Sequence, residues 1–271
     1  MGYRTFLCVP VIAFMMSMAQ AQPVRIAGSG ATVGAVELLV AEFRKLAPAA
    51  NFARVDAIGS TGAIKAVASG ALHIGLTSRS LSEAEKSLDV AEVEYARTPF
   101  VLVVRADSKI VALSDDQLAQ FMSGTVESGP DQVRVRPVLR PANDVDTVLL
   151  RRMAPKAGAV ADLALKRPGM MVATNDREAA DMVERTVGAI GANALGLILS
   201  ESRRLRAVSL DGMQPSLSAF ETGKYPHHKR LFLVTPVKQP MPAEARRFIE
   251  FLSSPAAKAI LRRTGHTVPP F

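Results

Sequence analysis

Apolar side chains recur every three or four residues over 35–46, which predicts an amphipathic helix there. A short apolar strand and a glycine-rich turn, residues 26–34, lead directly into it. The same order returns at 52–69, where a strand-like run precedes Gly-Ser-Thr-Gly at 59–62 and a second helix, expected at about 63–69. The chain therefore begins with two strand–turn–helix units that place glycines and hydroxyls just before a helix.

Strand-like and helix-like segments go on alternating beyond these units. A strand at 72–81 ends in hydroxyls and an arginine, and capping boxes at Ser82/Glu85 and Ser114/Gln117 predict two more helix starts. The other expected strands are 133–139, a run at Met170, an apolar run from Ala194 and 205–210, and the other expected helices are 148–153, 176–186, 242–253 and 255–263. This alternation predicts an α/β fold with mainly parallel sheets.

Two long β-prone runs are placed to connect separate parts of the molecule. One covers 93–104 and the other 226–234, and both are long enough to cross between two lobes. We therefore expect a two-lobed protein with a ligand cleft between the lobes. Lobe 1 is discontinuous, from 22–100 and 230–271, and lobe 2 is the insertion 101–229.

The first residues have the form of a signal peptide. Arg4 precedes an apolar run, and Ala19-Gln20-Ala21 gives an A-x-A cleavage site before Gln22, so we expect export to remove residues 1–21. A buried N-terminal helix is the alternative. The run is too short for a good membrane span, so we expect no membrane insertion after processing. The single cysteine, Cys8, lies in this segment, and the mature chain would have no disulfide or cysteine nucleophile.

The formal charge of +8 over 271 residues favours acidic partners. Nucleic acid is excluded as a partner class because the chain has no Trp, only three Tyr, no recognisable nucleic-acid motif and an expected export signal. The surplus is mostly arginine spread along the chain, and a solvated surface accounts for most of it.

The two glycine-rich turns are candidates for holding an anion. Glycine lets the backbone approach a ligand closely, hydroxyls donate hydrogen bonds, and the free N–H groups at a helix start attract negative charge. The alternative is that both are ordinary turns and N-caps. Neither turn has the spacing of a P-loop or of the G-x-G-x-x-G dinucleotide motif, which argues for a small oxyanion over a nucleotide.

The ordered motifs resemble the phosphate-binding proteins of bacterial ABC importers, which have the type II periplasmic binding protein fold. The resemblance rests on pieces spread over nearly the whole mature chain, namely 27–32, 59–65, 74–81, the helix at 114–124, the arginine-led turn 140–147 and 188–191. It implies a monomeric periplasmic protein that closes two lobes on phosphate and delivers it to an importer permease, without a cofactor. It also implies ligand contacts from Ala31, Thr32, Ser60, Thr61, Gly62, Ser78 and Arg140.

The chain departs from the family pattern at two expected contacts. Arg79 stands where the family usually has Asp after Ser, and Asp144-Val145-Asp146 replaces Ser-Gly-Thr after the arginine turn. A carboxylate about 4 Å from a phosphate charge would repel it by about 4 kcal/mol at an effective dielectric near 20. Arg79 could compensate, or one Asp could accept the proton of a monohydrogen oxyanion, as the family's own aspartate does. Alternatively, Asp144 and Asp146 only cap the next helix.

Other chemistries find little support. His227, His228 and His266 lack metal-ligand spacing, no G-x-S-x-G elbow is present, and no nucleophile–base pair can be proposed, so we expect a non-enzyme without a metal. Two functions remain open. The chain is an exported solute-binding protein for phosphate or a related oxyanion, or an exported sensor or interaction module of the same fold with an altered or vestigial site.

Overall fold

The computed structural model describes residues 22–130 and 132–270. Within these ranges the strands are β1 (Ile26–Gly28), β2 (Asp56–Ala57), β3 (Ile74–Thr77), β4 (Val90–Arg105), β5 (Ala112–Leu113), β6 (Arg136–Leu139), β7 (Met171–Val172), β8 (Ala189–Ala194), β9 (Leu205–Leu210) and β10 (His228–Pro236). The α-helices are α1 (Gly30–Leu46), α2 (Gly59–Ala68), α3 (Asp115–Ser123), α4 (Val145–Met153), α5 (Pro155–Ala164), α6 (Asp176–Arg185), α7 (Leu195–Ser200), α8 (Leu217–Glu221), α9 (Ala243–Phe251) and α10 (Pro255–Arg263). The predicted signal peptide lies outside the described residues.

The strands form one continuous sheet in the order β2-β1-β3-β10-β4-β8-β6-β7, with β9 paired to β4 and β5 paired to β9. β4 joins the two halves, because Val90 to Pro99 pair with β10 and Phe100 to Arg105 pair with β8 and β9. Pairing is parallel among β1, β2 and β3 and among β6, β7 and β8, but antiparallel wherever β4 or β10 takes part. The sheet as a whole is therefore mixed, where the alternation of elements had predicted mainly parallel pairing.

Separate hydrophobic clusters fill the two halves. The first draws on residues 24–96 and 231–261 and contains four phenylalanines linked by ring contacts, Phe43, Phe52, Phe248 and Phe251. In the other half, successive β4 residues enter two clusters in alternation, because neighbouring strand side chains point to opposite faces. Helices therefore cover both faces of the sheet there.

Several element boundaries differ from the sequence prediction. α1 starts at Gly30 and α2 at Gly59, so part of each glycine-rich turn forms the first turn of its helix. The apolar run after Ala194 is a helix, α7, and the expected strand is β8, directly before it. A short apolar run does not distinguish helix from strand, which explains this error. The capping box at Ser82 opens only a 3₁₀ turn, Glu85–Ser87.

Gly28 is required by the close approach of β1 to β3. A Cβ at this position would lie 1.9 Å from the Leu76 carbonyl oxygen, so a side chain cannot be accommodated. This contact brings the ends of β1 and β3 together beside the starts of α1 and α2. None of the helices in the described ranges is long and apolar enough to cross a membrane.

Candidate functional site

A cleft of about 760 Å³ lies where several elements begin or end. The start of α2, the end of β3, the start of α4, the start of α6 and the start of β10 all contribute to its walls. Eight of the ten site residues expected from the sequence line it, namely Ser60, Thr61, Gly62, Ser78, Arg79, Arg140, Asp144 and Asp146. The fold thus brings together residues that are far apart in the chain.

One wall is the N-terminal turn of α2. Its N-cap residue is Ile58, which has no side-chain oxygen to cap the helix, and Gly59 reaches the required turn with a φ of 74°. The first N–H groups of a helix have no partner within the helix, so this turn presents donors to the cleft. Beside it, the Ser78 N–H donates to Ser60 Oγ at 3.1 Å, and the two hydroxyls are 3.4 Å apart.

Arg140 follows β6, lines the cleft and is only 8% exposed. Its Nη2 donates to Asp144 Oδ2 at 2.7 Å and more weakly to the Thr174 carbonyl at 3.4 Å. Within the described residues, Nε and Nη1 make no hydrogen bond. A buried guanidinium with two open donors can bind an oxyanion through parallel hydrogen bonds.

The two aspartates after Arg140 have different roles. Asp144 is the N-cap of α4, and its Oδ1 accepts from the Asp146 N–H at 2.9 Å, so the capping interpretation is correct for this residue. It also pairs with Arg140 and lines the cleft. Asp146 lies one residue further along, is 3% exposed and does not act as the cap. The interpretation of both residues as mere caps is therefore wrong for Asp146.

Asp146 belongs to a buried ion-pair cluster that the sequence did not reveal. Lys229 Nζ pairs with both Asp146 Oδ1 and Asp176 Oδ1, and all three side chains are almost fully buried. Asp146 Oδ2 has no hydrogen bond within the described part of the chain and lies 3.9 Å from Arg140 Nη1. The Lys229 ammonium also lies over the Phe100 ring, 5.6 Å from its centroid.

The protonation of this cluster follows from burial and charge. Burial raises the pKa of Asp146 to about 7, although Lys229 acts in the opposite direction. Burial alone would also raise the pKa of Asp176, but Lys229 and Arg140 outweigh it and lower that pKa. For Lys229, the two carboxylates outweigh burial and raise its pKa. The ammonium therefore stays charged, and Asp146 is the carboxyl that takes up a proton near neutral pH.

Arg79 lines the cleft, but its charge is already matched. Its guanidinium donates to both oxygens of Glu85, at 2.6 and 2.7 Å, and to Thr61 Oγ1 at 3.0 Å. These hydrogen bonds hold the pKa of Glu85 at about 2. The hypothesis that Arg79 compensates Asp144 or Asp146 therefore has no contact in its favour, since the arginine pairs with Glu85 instead.

Ala31 and Thr32 lie outside the lining of the cleft. Ala31 is buried in a hydrophobic cluster, and Thr32 directs its hydroxyl and its N–H back to the Ser29 carbonyl, at 2.7 and 3.1 Å. In front of them, Ser29 Oγ donates to Asp176 Oδ2 at 3.4 Å. The ligand contact expected of these two residues stays a prediction, and only the Ala31 N–H is left to make it.

Sequence reasoning missed two buried charged residues that line the cleft, Lys229 and Asp176. Lys229 occupies an inward position of β10, two residues before buried Leu231 and four before buried Leu233. A lysine in phase with buried apolar residues was the available signal. Asp176 follows Asn175, the N-cap of α6, and cannot be distinguished by sequence from an ordinary acidic helix start.

The structure places the histidines in different environments. His227 and His228 line the cleft, whereas His266 is fully buried beside Gly196, and burial lowers its pKa to about 4. Among the described residues, no group of three or more His, Cys, Asp or Glu side chains is placed to hold a metal ion.

Comparisons with known proteins agree on the fold. A family model described as the PBP superfamily domain matches residues 17–256. No curated protein matches the chain. Among solved structures, a protein from Clostridium perfringens assigned as a phosphate ABC transporter substrate-binding protein, with bound phosphate, has 18% identity and a TM-score of 0.73, covering 91% of this chain and 99% of its own.

Two further structures show the same similarity. An ABC-type phosphate transport receptor from Vibrio cholerae has 19% identity and a TM-score of 0.61, covering 91% of this chain and 100% of its own. The periplasmic molybdate-binding protein of Azotobacter vinelandii has 14% identity and a TM-score of 0.62, with 91% and 99% covered. At these identities the similarity shows the fold, and it confirms the resemblance to the type II periplasmic binding protein fold.

Proposed function

The chain belongs to the PBP superfamily, and we propose that it is an exported solute-binding protein that captures phosphate or a related oxyanion for an ABC importer. In this proposal residues 1–21 are removed on export to the periplasm. Lobe 1 (22–100 and 230–271) and lobe 2 (101–229) close on the ligand as a monomer, and the closed form engages the importer permease. The protein binds and releases its ligand without catalysing a reaction.

The environment of Arg140 is the main support for this proposal. The Arg140 guanidinium is buried in the wall of the cleft, where Nε and Nη1 make no hydrogen bond within the described residues, and the uncapped start of α2 lines the same cleft. A buried polar group without a partner costs about 1–3 kcal/mol, and a bound oxyanion would remove that cost. The phosphate and molybdate proteins among the structural neighbours add support for this ligand class.

Asp146 narrows the proposed ligand to an oxyanion that keeps a proton. Its Oδ2 and Arg140 Nη1 are 3.9 Å apart, too far for a hydrogen bond between them. A hydroxyl oxygen about 2.8 Å from both atoms would accept from the arginine and donate to the carboxylate. When Asp146 is ionised, above its pKa of about 7, hydrogen phosphate offers such a group, whereas sulfate does not and would place its charge against the carboxylate.

Titration of ligand-stripped protein with phosphate and sulfate tests the proposal. Arg140→Ala should weaken phosphate binding by about 1.5–3 kcal/mol, the usual worth of a hydrogen bond to a charged group. Arg134→Ala is the matched control, because that arginine is 64% exposed and lies outside the cleft lining. A folded Arg140→Ala protein that binds phosphate as tightly as the parent would refute the assignment.

A second function, an exported sensor or interaction module, is favoured by one observation. Lys229 already pairs with two carboxylates in the cleft wall, so this part of the site has internal ion pairs without a ligand. If the parent protein binds none of phosphate, sulfate, arsenate, molybdate and tungstate, the result supports this second function over solute binding. A sensor kinase gene beside the coding gene would support it, and a permease gene would support import.

A further inference from the structure

We propose that Asp176 is a specificity-determining residue: its carboxylate acts as the chain's own anion at the start of α1 and keeps fully ionised oxyanions out of the cleft. The inference rests on the proposed oxyanion-binding function. It assigns the ligand contacts to the start of α2, Ser78 and Arg140, and it removes Ala31 and Thr32 from them.

The position of Asp176 supports this role. It is the first residue of α6, is 5% exposed, and its Oδ2 accepts from Ser29 Oγ at 3.4 Å. Ser29 is the N-cap of α1 but makes no side-chain capping bond within that helix. A Cβ on Gly30 would lie 3.1 Å from both Asp176 Cβ and the Arg177 nitrogen. The start of α6 therefore packs directly against the start of α1, where an oxyanion would otherwise approach.

Asp176 is held in this position from several sides. Lys229 Nζ pairs with its Oδ1, and Asn193 Nδ2 donates to its backbone carbonyl at 2.9 Å. The next residue, Arg177, pairs with Glu37 of α1 at 3.2 Å and with Glu201 after α7 at 2.6 Å. A shift of the start of α6 away from α1 would break these contacts together, so the backbone that carries the Asp176 carboxylate is fixed in the cleft wall.

The charges of the inner wall explain the expected selectivity. Arg140 and Lys229 form ion pairs with three carboxylates, Asp144, Asp146 and Asp176, so this group of five side chains carries a net charge of −1 when all are ionised. A doubly charged anion without a proton meets this excess and offers no donor to Asp146. A protonated oxyanion of low charge avoids both penalties. Because Lys229 and Arg140 lower the pKa of Asp176, this carboxylate keeps its charge at the pH where Asp146 takes up a proton.

Asp176→Asn tests the inference because it removes the charge while preserving the shape and an acceptor for Ser29. Calorimetric titration with sulfate and with phosphate should show sulfate binding at least tenfold tighter than in the parent, and a smaller preference for phosphate. Asp181→Asn is the matched control, since Asp181 lies on the same helix, outside the cleft, and pairs with Arg203. Unchanged selectivity in folded Asp176→Asn protein, confirmed with Asp176→Ser, would overturn the inference.

The outcomes separate this inference from the proposed function. If the parent binds phosphate and the Asp176 variants keep its selectivity, the inference fails and the function stands. If the parent binds no anion but Asp176→Asn does, the function fails and the inference stands. If neither binds, both fail. Amide NMR of the parent gives a readout that needs no variant: phosphate should shift the Ser60, Thr61 and Gly62 amides, and equal shifts at Ala31 and Thr32 would overturn the inference.

Discussion

At the scale of single residues, the cleft is governed by Lys229. A buried ammonium is costly to desolvate, and it is retained only where carboxylates surround it. Here Asp146 and Asp176 do so, and Arg140 adds a second cation within 3.9 Å of Asp146. Removing either carboxylate still leaves Lys229 one partner, so Asp→Asn variants at these positions are practical probes.

Asp146 should make the stability of the protein depend on pH. Its pKa is raised by burial to about 7 in the folded state against an ordinary 3.8, so between these values the folded state holds a proton that the unfolded state releases. The contribution of Asp146 to the free energy of unfolding should therefore fall as pH rises from 4 to 7. Asp146→Asn has no carboxyl to titrate at this position. Over this pH window, the variant should lose less unfolding free energy than the parent, by at least about 1 kcal/mol, roughly the value of one pKa unit.

Urea unfolding at pH 4.5 and pH 7.5 measures this difference. Asp181→Asn serves again as the control and should follow the parent, because Asp181 lies outside the cluster and pairs with Arg203. Parallel pH profiles for the parent and Asp146→Asn would show that Asp146 keeps an ordinary pKa in the folded protein.

Much of the site could be predicted from residue types that follow strands. Ser60, Ser78 and Arg140 each come at the end of a strand-like run, and ends of neighbouring strands meet at one edge of a sheet. Lys229 and Asp176 could not be predicted in the same way, because their role depends on contacts between segments separated by 53 residues. The sequence analysis also did not predict the ion pair between Arg79 and Glu85. This ion pair competes with the ligand role that was expected of Arg79.

At the scale of secondary-structure elements, a capping-box pattern correctly predicted the start of α3. Ser114 and Gln117 form the expected capping box at α3, with both reciprocal hydrogen bonds present. The same pattern at Ser82 gives only a 3₁₀ turn, because Glu85 also accepts from Arg79 and no amphipathic helix follows. Apolar pattern alone failed after Ala194, where a six-residue run is a helix.

The capping box of α3 gives an element-scale prediction. Ser114→Ala removes the acceptor for the Gln117 N–H and should reduce the free energy of unfolding by about 1 kcal/mol. Ser123→Ala, at the other end of the same helix, is the matched control, because its exposed hydroxyl only donates to the Gln120 carbonyl and contacts Thr125. Chemical unfolding of the two variants should separate them, and equal losses would contradict a specific capping contribution.

At the scale of the whole molecule, β4 and β10 hold the two halves of the sheet in one structure. β4 pairs with β10 over its first ten residues and with β8 and β9 beyond them. The two long β-prone runs overlap β4 and β10, and the lobe boundaries inferred from them, 22–100 with 230–271 and 101–229, stay a prediction. The antiparallel pairing of β4 and β10 was not predictable from composition, because it depends on β10 returning beside β4 from a distant part of the chain.

Thr98 ties three parts of the molecule together where β4 crosses. Its fully buried Oγ1 donates to the Gly265 carbonyl and accepts from the Gly196 N–H, both at 2.8 Å, so it joins β4 to the C-terminal segment and to the start of α7. Thr98→Val keeps the shape but leaves two buried backbone groups unpaired. The variant should lose about 2–4 kcal/mol of unfolding free energy.

Thr235→Val is the control on β10. The replaced hydroxyl makes no hydrogen bond within the described residues, so the free energy of unfolding should stay within about 0.5 kcal/mol of the parent value. Urea denaturation gives both values, and a Thr98→Val protein as stable as the control would mean that packing alone, without this hydrogen-bonded junction, holds the crossing together.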